Sequence, residues 1–161
     1  MVRKAIELTQ ISFRQAEPGD LAAIIGLLAD DVLGQSRERV SDPIDPAYVS
    51  AFAAMQADHN QHLILAMDEN RIVGCMQISL IPGLSRLGMW RGQIESVRIA
   101  ANARGGGLGQ VMFEWAIGFC REKGCGLVQL TTDKARPDAL RFYEKLGFAA
   151  SHEGMKLALD S

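Results

Sequence analysis

The sequence has no basic block or stripe, and its 17 Lys and Arg stand against 19 Asp and Glu for a net charge of −2. That removes the electrostatic footprint of a nucleic-acid binder. No apolar run approaches the length that spans a bilayer, so no membrane partner is expected. The opening residues, MVRKAIELTQISF, lack an apolar segment followed by a small-residue cleavage site, which points to the cytoplasm. The three cysteines, Cys75, Cys120 and Cys125, form no CxxC and read as reduced thiols. His59 and His62 have no nearby set of ligands to complete a metal site and read as surface or turn residues, so no metal is expected. There is no repeat, low-complexity tract or linker. The 161 residues suit one domain, 1–161, long enough to bury a core.

What is present is a mixed series of strands and helices. Residues 12–16 read as a short strand, and "EPGD" turns the chain, with Asp20 placed to cap a helix carrying Leu21, Ile24, Ile25, Leu27 and Leu28. Residues 34–46 are polar and broken by Pro43 and Pro46, so they form a loop before a helix over 46–58. Strands over 62–67 and 71–81 flank the turn "DEN" as a hairpin. Further strands are expected over 93–100 and 126–132, with helices over 108–123 and 137–146 and a last strand over 152–159. The pattern predicts an α/β or α+β sheet with helices on its faces.

The stretch "ANARGGGLGQVMFEWA", 101–116, places four glycines at the mouth of a helix. Leu108, Val111, Met112, Trp115 and Phe119 recur on one face of that helix, and Phe113 and Ile117 widen the stripe. The helix mouth offers amide groups without intrahelical partners and the positive end of the dipole. With no Cβ atoms at 105–107 and 109, an anion such as a pyrophosphate can approach those amides; a plain glycine-rich turn is the alternative. The P-loop does not fit, because Gln110 and Val111 stand where Lys and Ser/Thr belong. The dinucleotide fingerprint fails at Gln110, where its third glycine would fall. Arg104-x-x-Gly107-x-Gly109, after a strand and opening a helix, resembles the acetyl-CoA pyrophosphate loop of the GNAT superfamily of N-acetyltransferases.

The resemblance extends to "IESVRIAANARGGGLGQVMFEWA", similar to that superfamily's fourth strand, loop and third helix, and to "ALRFYEKLGF", 139–148, similar to its F-Y-x-x-x-G-F signature. It implies the GNAT fold: a central, mostly antiparallel twisted sheet, splayed between strands 4 and 5 and flanked by about four helices. Acetyl-CoA is the implied cosubstrate, lying in the splay. Ile94 and Val97 cannot share a face under strict alternation. A bulge near Glu95–Ser96 reconciles them, as in the family's bulged fourth strand.

The implied roles follow by position. The amides of Gly105, Gly106, Gly107, Leu108, Gly109 and Gln110, with Arg104, hold the cofactor's pyrophosphate. The segment Val97, Arg98, Ile99 pairs with the pantetheine arm as an added strand does. Glu95 is the base that takes the amine's proton, or else a strand-edge carboxylate paired with Arg91 or Arg98. Tyr143 donates to the thioester sulfur, or else it is a core tyrosine on a stripe with Ala139, Phe142 and Leu146. Arg136 stands where many members carry Asn, seven residues before the Tyr; it or Arg141 meets a CoA phosphate. The function implied is acetyl transfer to the primary amine of a small molecule, with aminoalkylphosphonate-like amines the nearest in pattern. Acetylation of a protein lysine or N-terminus, and a non-catalytic acetyl-CoA-binding module, are the alternatives. Dimers are common in the family, which implies a homodimer.

Overall fold

The computed structural model describes residues 6–31 and 34–159. Five strands form one sheet in the order β1-β2-β3-β4-β5. β1 (Ile11–Gln15), β2 (Gln61–Asp68), β3 (Arg71–Ile81) and β4 (Trp90–Ile99) are antiparallel neighbours, and β5 (Cys125–Gln129) runs parallel to β4. The helices are α1 (Leu21–Ala29), α2 (Pro46–Ala57), α3 (Leu108–Glu122) and α4 (Pro137–Lys145). A single turn, Ser85–Gly88, joins β3 to β4, with Arg86 and Leu87 in left-handed conformation. α3 is the crossover that a parallel pair requires. Among the described residues, no helix is long and apolar enough to cross a membrane.

The sheet is covered on both faces, which is why the middle of β2 is a continuous apolar run, Leu-Ile-Leu-Ala-Met, rather than an alternation. On one face Ile64, Met76, Ile78 and Ile94 pack with Met112, Phe113, Ala116 and Cys120 of α3. Phe13, Trp115 and Phe119 stack along its border, with ring centroids 4.8 and 5.2 Å apart. On the other face Leu63, Leu65, Met67 and Cys75 pack with Ile24, Ile25 and Phe52 of α1 and α2. α2 starts as Pro and Asp at its mouth require: Pro46 takes the first position and Asp45 accepts from Ala47 N at 3.0 Å.

Three expectations are corrected. Asp20 does not cap α1. It has helical dihedrals at the end of a 3-10 turn, Pro18–Asp20, and its carboxylate is drawn to Glu17 N and to Arg14, at 2.7 and 2.9 Å. β5 ends at Gln129 rather than at 132, because β4 turns away from it there. Residues 152–159 form no strand: a strand needs a hydrogen-bonding neighbour, and this segment has none among the described residues.

Candidate active site

β4 and β5 pair only from Trp90 to Gln93 on one side and Cys125 to Gln129 on the other. A side-chain bond, Gln129 Nε2 to Gln93 Oε1 at 2.7 Å, ties the last pair. Past it the strands part. The cleft so opened is lined by Ile94–Arg98 on the β4 side, by Leu130–Asp133 on the other, and by Phe113, Arg136 and Tyr143. The splay between strands 4 and 5 is therefore where the sequence resemblance implied it.

The bulge is present as well. Cys75 pairs with Arg98 and Gln77 with Glu95, so Ser96 and Val97 together oppose Met76. Ser96 has φ +53, a left-handed backbone that L-residues adopt rarely outside functional or strained positions. The extra residue lets Ile94 and Val97 join the same core, as their apolar character demands. Beyond the bulge the outer edge of β4 lacks a neighbouring strand, and side chains stand in for one. Val97 O accepts from Arg98 Nη1 at 2.9 Å, and Ile99 O accepts from Arg104 Nε at 3.0 Å.

At one end of this edge lies the glycine loop. Gly107 caps α3 with φ +88, and its carbonyl accepts from Gln110 N and Val111 N at 3.1 and 3.3 Å. The N–H groups of Leu108 and Gly109, in the first turn, have no intrahelical partner. The Arg104 side chain is turned away from this mouth: its Nη2 donates to the carbonyl and to the carboxylate of Asp30, both at 2.9 Å. Arg104 thus braces the loop against the end of α1. Arg141 is paired with Asp138 on α4. Arg136 lines the cleft and has no ion-pair partner among the described residues.

Glu95 is exposed at the cleft. It does not pair with Arg98, whose Nε lies 3.1 Å from Asp31 Oδ2. Tyr143 reaches the cleft from α4 through an aromatic nest, edge-on to Phe113, Phe142 and Phe148 at 5.3, 5.4 and 6.0 Å. Burial pushes its phenol pKa up, against the smaller opposite pull of Arg136 and Arg98. Its hydroxyl stays protonated at neutral pH and has no hydrogen-bond partner among the described residues.

A polar row on the sheet escaped the sequence reading. Gln61 opposes Ser79, Ser79 opposes Gln93, and Gln93 opposes Gln129 across four strands. Ser79 Oγ and Gln77 Nε2 both donate to Gln61 Oε1, at 2.8 and 3.0 Å. Gln77 in turn opposes Glu95. The row lies on the α1–α2 face, beyond the apolar patch that those helices cover, and ends at the cleft. Its signal was the alternation Gln77-x-Ser79 and Gln93-x-Glu95 within otherwise apolar strands. Of the two histidines, His62 packs edge-on to Phe119 at 4.9 Å. No group of three or more His, Cys, Asp or Glu residues placed to hold a metal occurs among the described residues.

A mixed sheet parting between parallel strands beside a glycine-rich helix mouth is the architecture that the GNAT resemblance implied. The chain belongs to the Acetyltransferase (GNAT) family, which it matches over residues 28–148. It is 31% identical to the aminoalkylphosphonate N-acetyltransferase of Salmonella typhimurium over 124 residues, 76% of this chain and 80% of that protein. It is 38% identical to the glucosamine 6-phosphate N-acetyltransferase of Trypanosoma brucei brucei over 89 residues, 55% of this chain and 58% of that one. A crystal structure from Bacillus halodurans C-125, described as a transcriptional regulator, superposes with a TM-score of 0.89 at 50% identity, covering 92% of this chain and 99% of that one. The protein is thus a GNAT N-acetyltransferase, an enzyme acting on amines.

Proposed function

We propose that this enzyme moves the acetyl group of acetyl-CoA directly to the primary amine of a small molecule that also carries a phosphoryl anion. The observation that carries the reading is the meeting, in one cleft, of the bulged β4 edge, Glu95 and Tyr143. Three features of this chain support acetyl-CoA: the glycine loop Gly105–Gln110 at the α3 mouth for its pyrophosphate, the strandless edge Val97–Ile99, whose two outer carbonyls the Arg98 and Arg104 side chains hold in place of a strand, for its pantetheine arm, and Arg136 for a phosphate. The enzyme acts as a single cytoplasmic domain and as a homodimer.

Glu95 takes a proton from the acceptor's ammonium, directly or through water, before the freed amine attacks, and the second proton that the nitrogen sheds after attack passes to solvent. A free amine is scarce at neutral pH, since such groups have pKa values of roughly 10. As nitrogen bonds to the thioester carbon, the Val97 amide donates to the oxygen that gains charge. As the C–S bond breaks, its electron pair goes to sulfur, and the Tyr143 hydroxyl donates a hydrogen bond there. A phenol with a raised pKa does not surrender its proton fully to a thiolate whose acid has a pKa of roughly 8.5. Tyr143 therefore stabilises the leaving group, and solvent completes its protonation.

The phosphoryl part of the proposal draws on the two curated relatives, whose names share an amine and a phosphoryl group. In this chain Arg91 lies on the same strand face as Gln93 and Glu95. It supplies a cation beside the polar row, and the glutamines supply donors and acceptors for the body of the acceptor. A screen of amines with acetyl-CoA, read as free thiol, tests the whole reading. Aminoalkylphosphonates and amino-sugar phosphates are expected to turn over. Arg91→Ala is expected to raise KM about 10-fold or more for these and to leave their phosphate-free counterparts unchanged. Turnover of peptides alone would refute the proposal.

A further inference from the structure

α1 ends on two carboxylates, Asp30 and Asp31. The C-terminal end of a helix favours cations, so acids there call for partners. Each meets an arginine from β4 or the loop after it: Asp30 holds Arg104, and Asp31 faces Arg98. The two pairs differ in setting. The side chains of Arg104 and Asp30 are both 48% exposed, whereas those of Arg98 and Asp31 are 18 and 22% exposed. Parting a pair so far out of water leaves a charge uncompensated, which gives it a hold that exposed pairs lack. Asp31 is itself fixed by the turn that follows α1. Its Oδ1 accepts from Gly34 N, and its carbonyl accepts from Gln35 N at 2.9 Å. A Cβ at Gly34 would lie 2.0 Å from Leu28 O, so this turn closes only over glycine.

Arg98 carries that hold to the bulge. Its Nε lies 3.1 Å from Asp31 Oδ2, and its Nη1 donates to Val97 O at 2.9 Å. The carbonyl before Val97 is held as well. Cys75 opposes Arg98 across the ladder, and its Sγ lies 3.9 Å from Ser96 O. Burial pushes this thiol up to about 11, so it keeps its proton and donates. A peptide unit is planar and trans, with C=O and N–H on opposite sides. Ser96 O turned to Cys75 therefore turns Val97 N–H away from it. Ser96, between the two held carbonyls, has the left-handed φ of +53, which persists only where its surroundings enforce it.

We propose that Asp31 is a positioning residue for acetyl transfer: acting through Arg98, it holds the strained bulge so that the Val97 amide meets the thioester oxygen. The proposal rests on the reading of Val97 as the donor to that oxygen and adds what aims it. A carbonyl accepts two hydrogen bonds, so the Arg98 bond to Val97 O persists beside one from the pantetheine arm. Two forms are compared with wild type: Asp31→Asn, and the double variant Asp31→Asn, Arg98→Met. The double variant leaves no buried charge of the pair uncompensated and keeps the test open should the single variant misfold. kcat at saturating substrates and acetyl-CoA affinity by calorimetry are joined by infrared spectra of bound acetyl-CoA, isotope-labelled at its thioester carbonyl. In wild type the carbonyl band is expected below its frequency in free acetyl-CoA, because the donated hydrogen bond weakens C=O. Losing an oxyanion donor outright costs about 10²–10³-fold, and these variants loosen it, so kcat is expected to fall at least about 10-fold. Affinity is expected to change little, and the band to return towards its free frequency. A folded variant with wild-type kcat overturns the proposal. So does a fall in kcat with the band unmoved, which is what a merely structural Asp31 would give. A wild-type band at the free frequency overturns the reading of Val97 itself, and the proposal with it.

Discussion

Gly106 and Gly107 are neighbours in one loop, and they separate a glycine needed by the fold from one needed by a guest. Gly107 has φ +88, and a Cβ there would lie 3.3 Å from Leu8 Cδ1. Gly107→Ala puts an L-residue into left-handed backbone, at about 1–2 kcal/mol. For a chain of this length that lowers Tm by about 2–8 °C. Gly106 has no positive φ, and a Cβ there meets nothing within 4 Å. Its substitution is therefore expected to change stability by less than about 0.5 kcal/mol. On the proposed pyrophosphate reading, the branches of a valine at 106 take up space that the guest needs in front of the α3 mouth. One or two lost hydrogen bonds to a charged group, at roughly 1.5–3 kcal/mol each, correspond to about 10- to 20,000-fold in affinity. Gly106→Val is thus expected to melt like wild type and to bind acetyl-CoA at least about 10-fold more weakly by calorimetry. A Gly106→Val protein with wild-type affinity would refute the assignment of this loop to the pyrophosphate.

Tyr143→Phe keeps the ring that packs on Phe113 and Phe148 and removes only the hydroxyl; kcat is expected to fall by about 10²-fold, the low end for losing one hydrogen-bond donor to charge that develops in the transition state, with acetyl-CoA affinity and Tm little changed. A fully active Tyr143→Phe enzyme would leave it a packing residue. His62 supplies a pH dependence: burial lowers its pKa below 6.5, Lys123 adds to this and Asp58 opposes it, and its Nε2 is buried without a partner. The unfolded chain then binds the proton more readily, so stability is full above about pH 7 and falls as pH drops through 6.5 towards the folded value. His62→Leu is expected to flatten Tm between pH 7 and 5; an unchanged slope would assign the loss to other groups. Asp20 and Asp45, whose pKa values are lowered by Arg14 and by the Ala47 amide, lose their contributions only at lower pH.

Much of the site was legible in the sequence because local chemistry encoded it. The bulge followed from Ile94 and Val97 sharing a core across an odd spacing, and the left-handed cap of α3 from the glycines that it requires. What stayed hidden depends on contacts between distant segments. The motif around Arg104 carries no sign that Asp30, 74 residues away, holds its guanidinium. The glutamine row is four residues on four strands and has no signature until β2, β3, β4 and β5 are placed in order. The tail, 152–159, has the alternation of a strand, but alternation does not supply the neighbour that a strand needs, and none of the described residues is one.

Glu95 carries the central claim, since an amine acetyltransferase working near neutral pH needs a group to remove the ammonium proton. The most direct test is the rate of thiol release from acetyl-CoA, with a phosphoryl amine as acceptor, for wild type and Glu95→Gln from pH 6 to 10. The wild-type rate is expected to level off near neutral pH. The Glu95→Gln rate is expected to keep rising about tenfold per pH unit towards the amine's own pKa of roughly 10, with acetyl-CoA affinity unchanged. Superimposable profiles for the two proteins would contradict the assignment of Glu95 as the base.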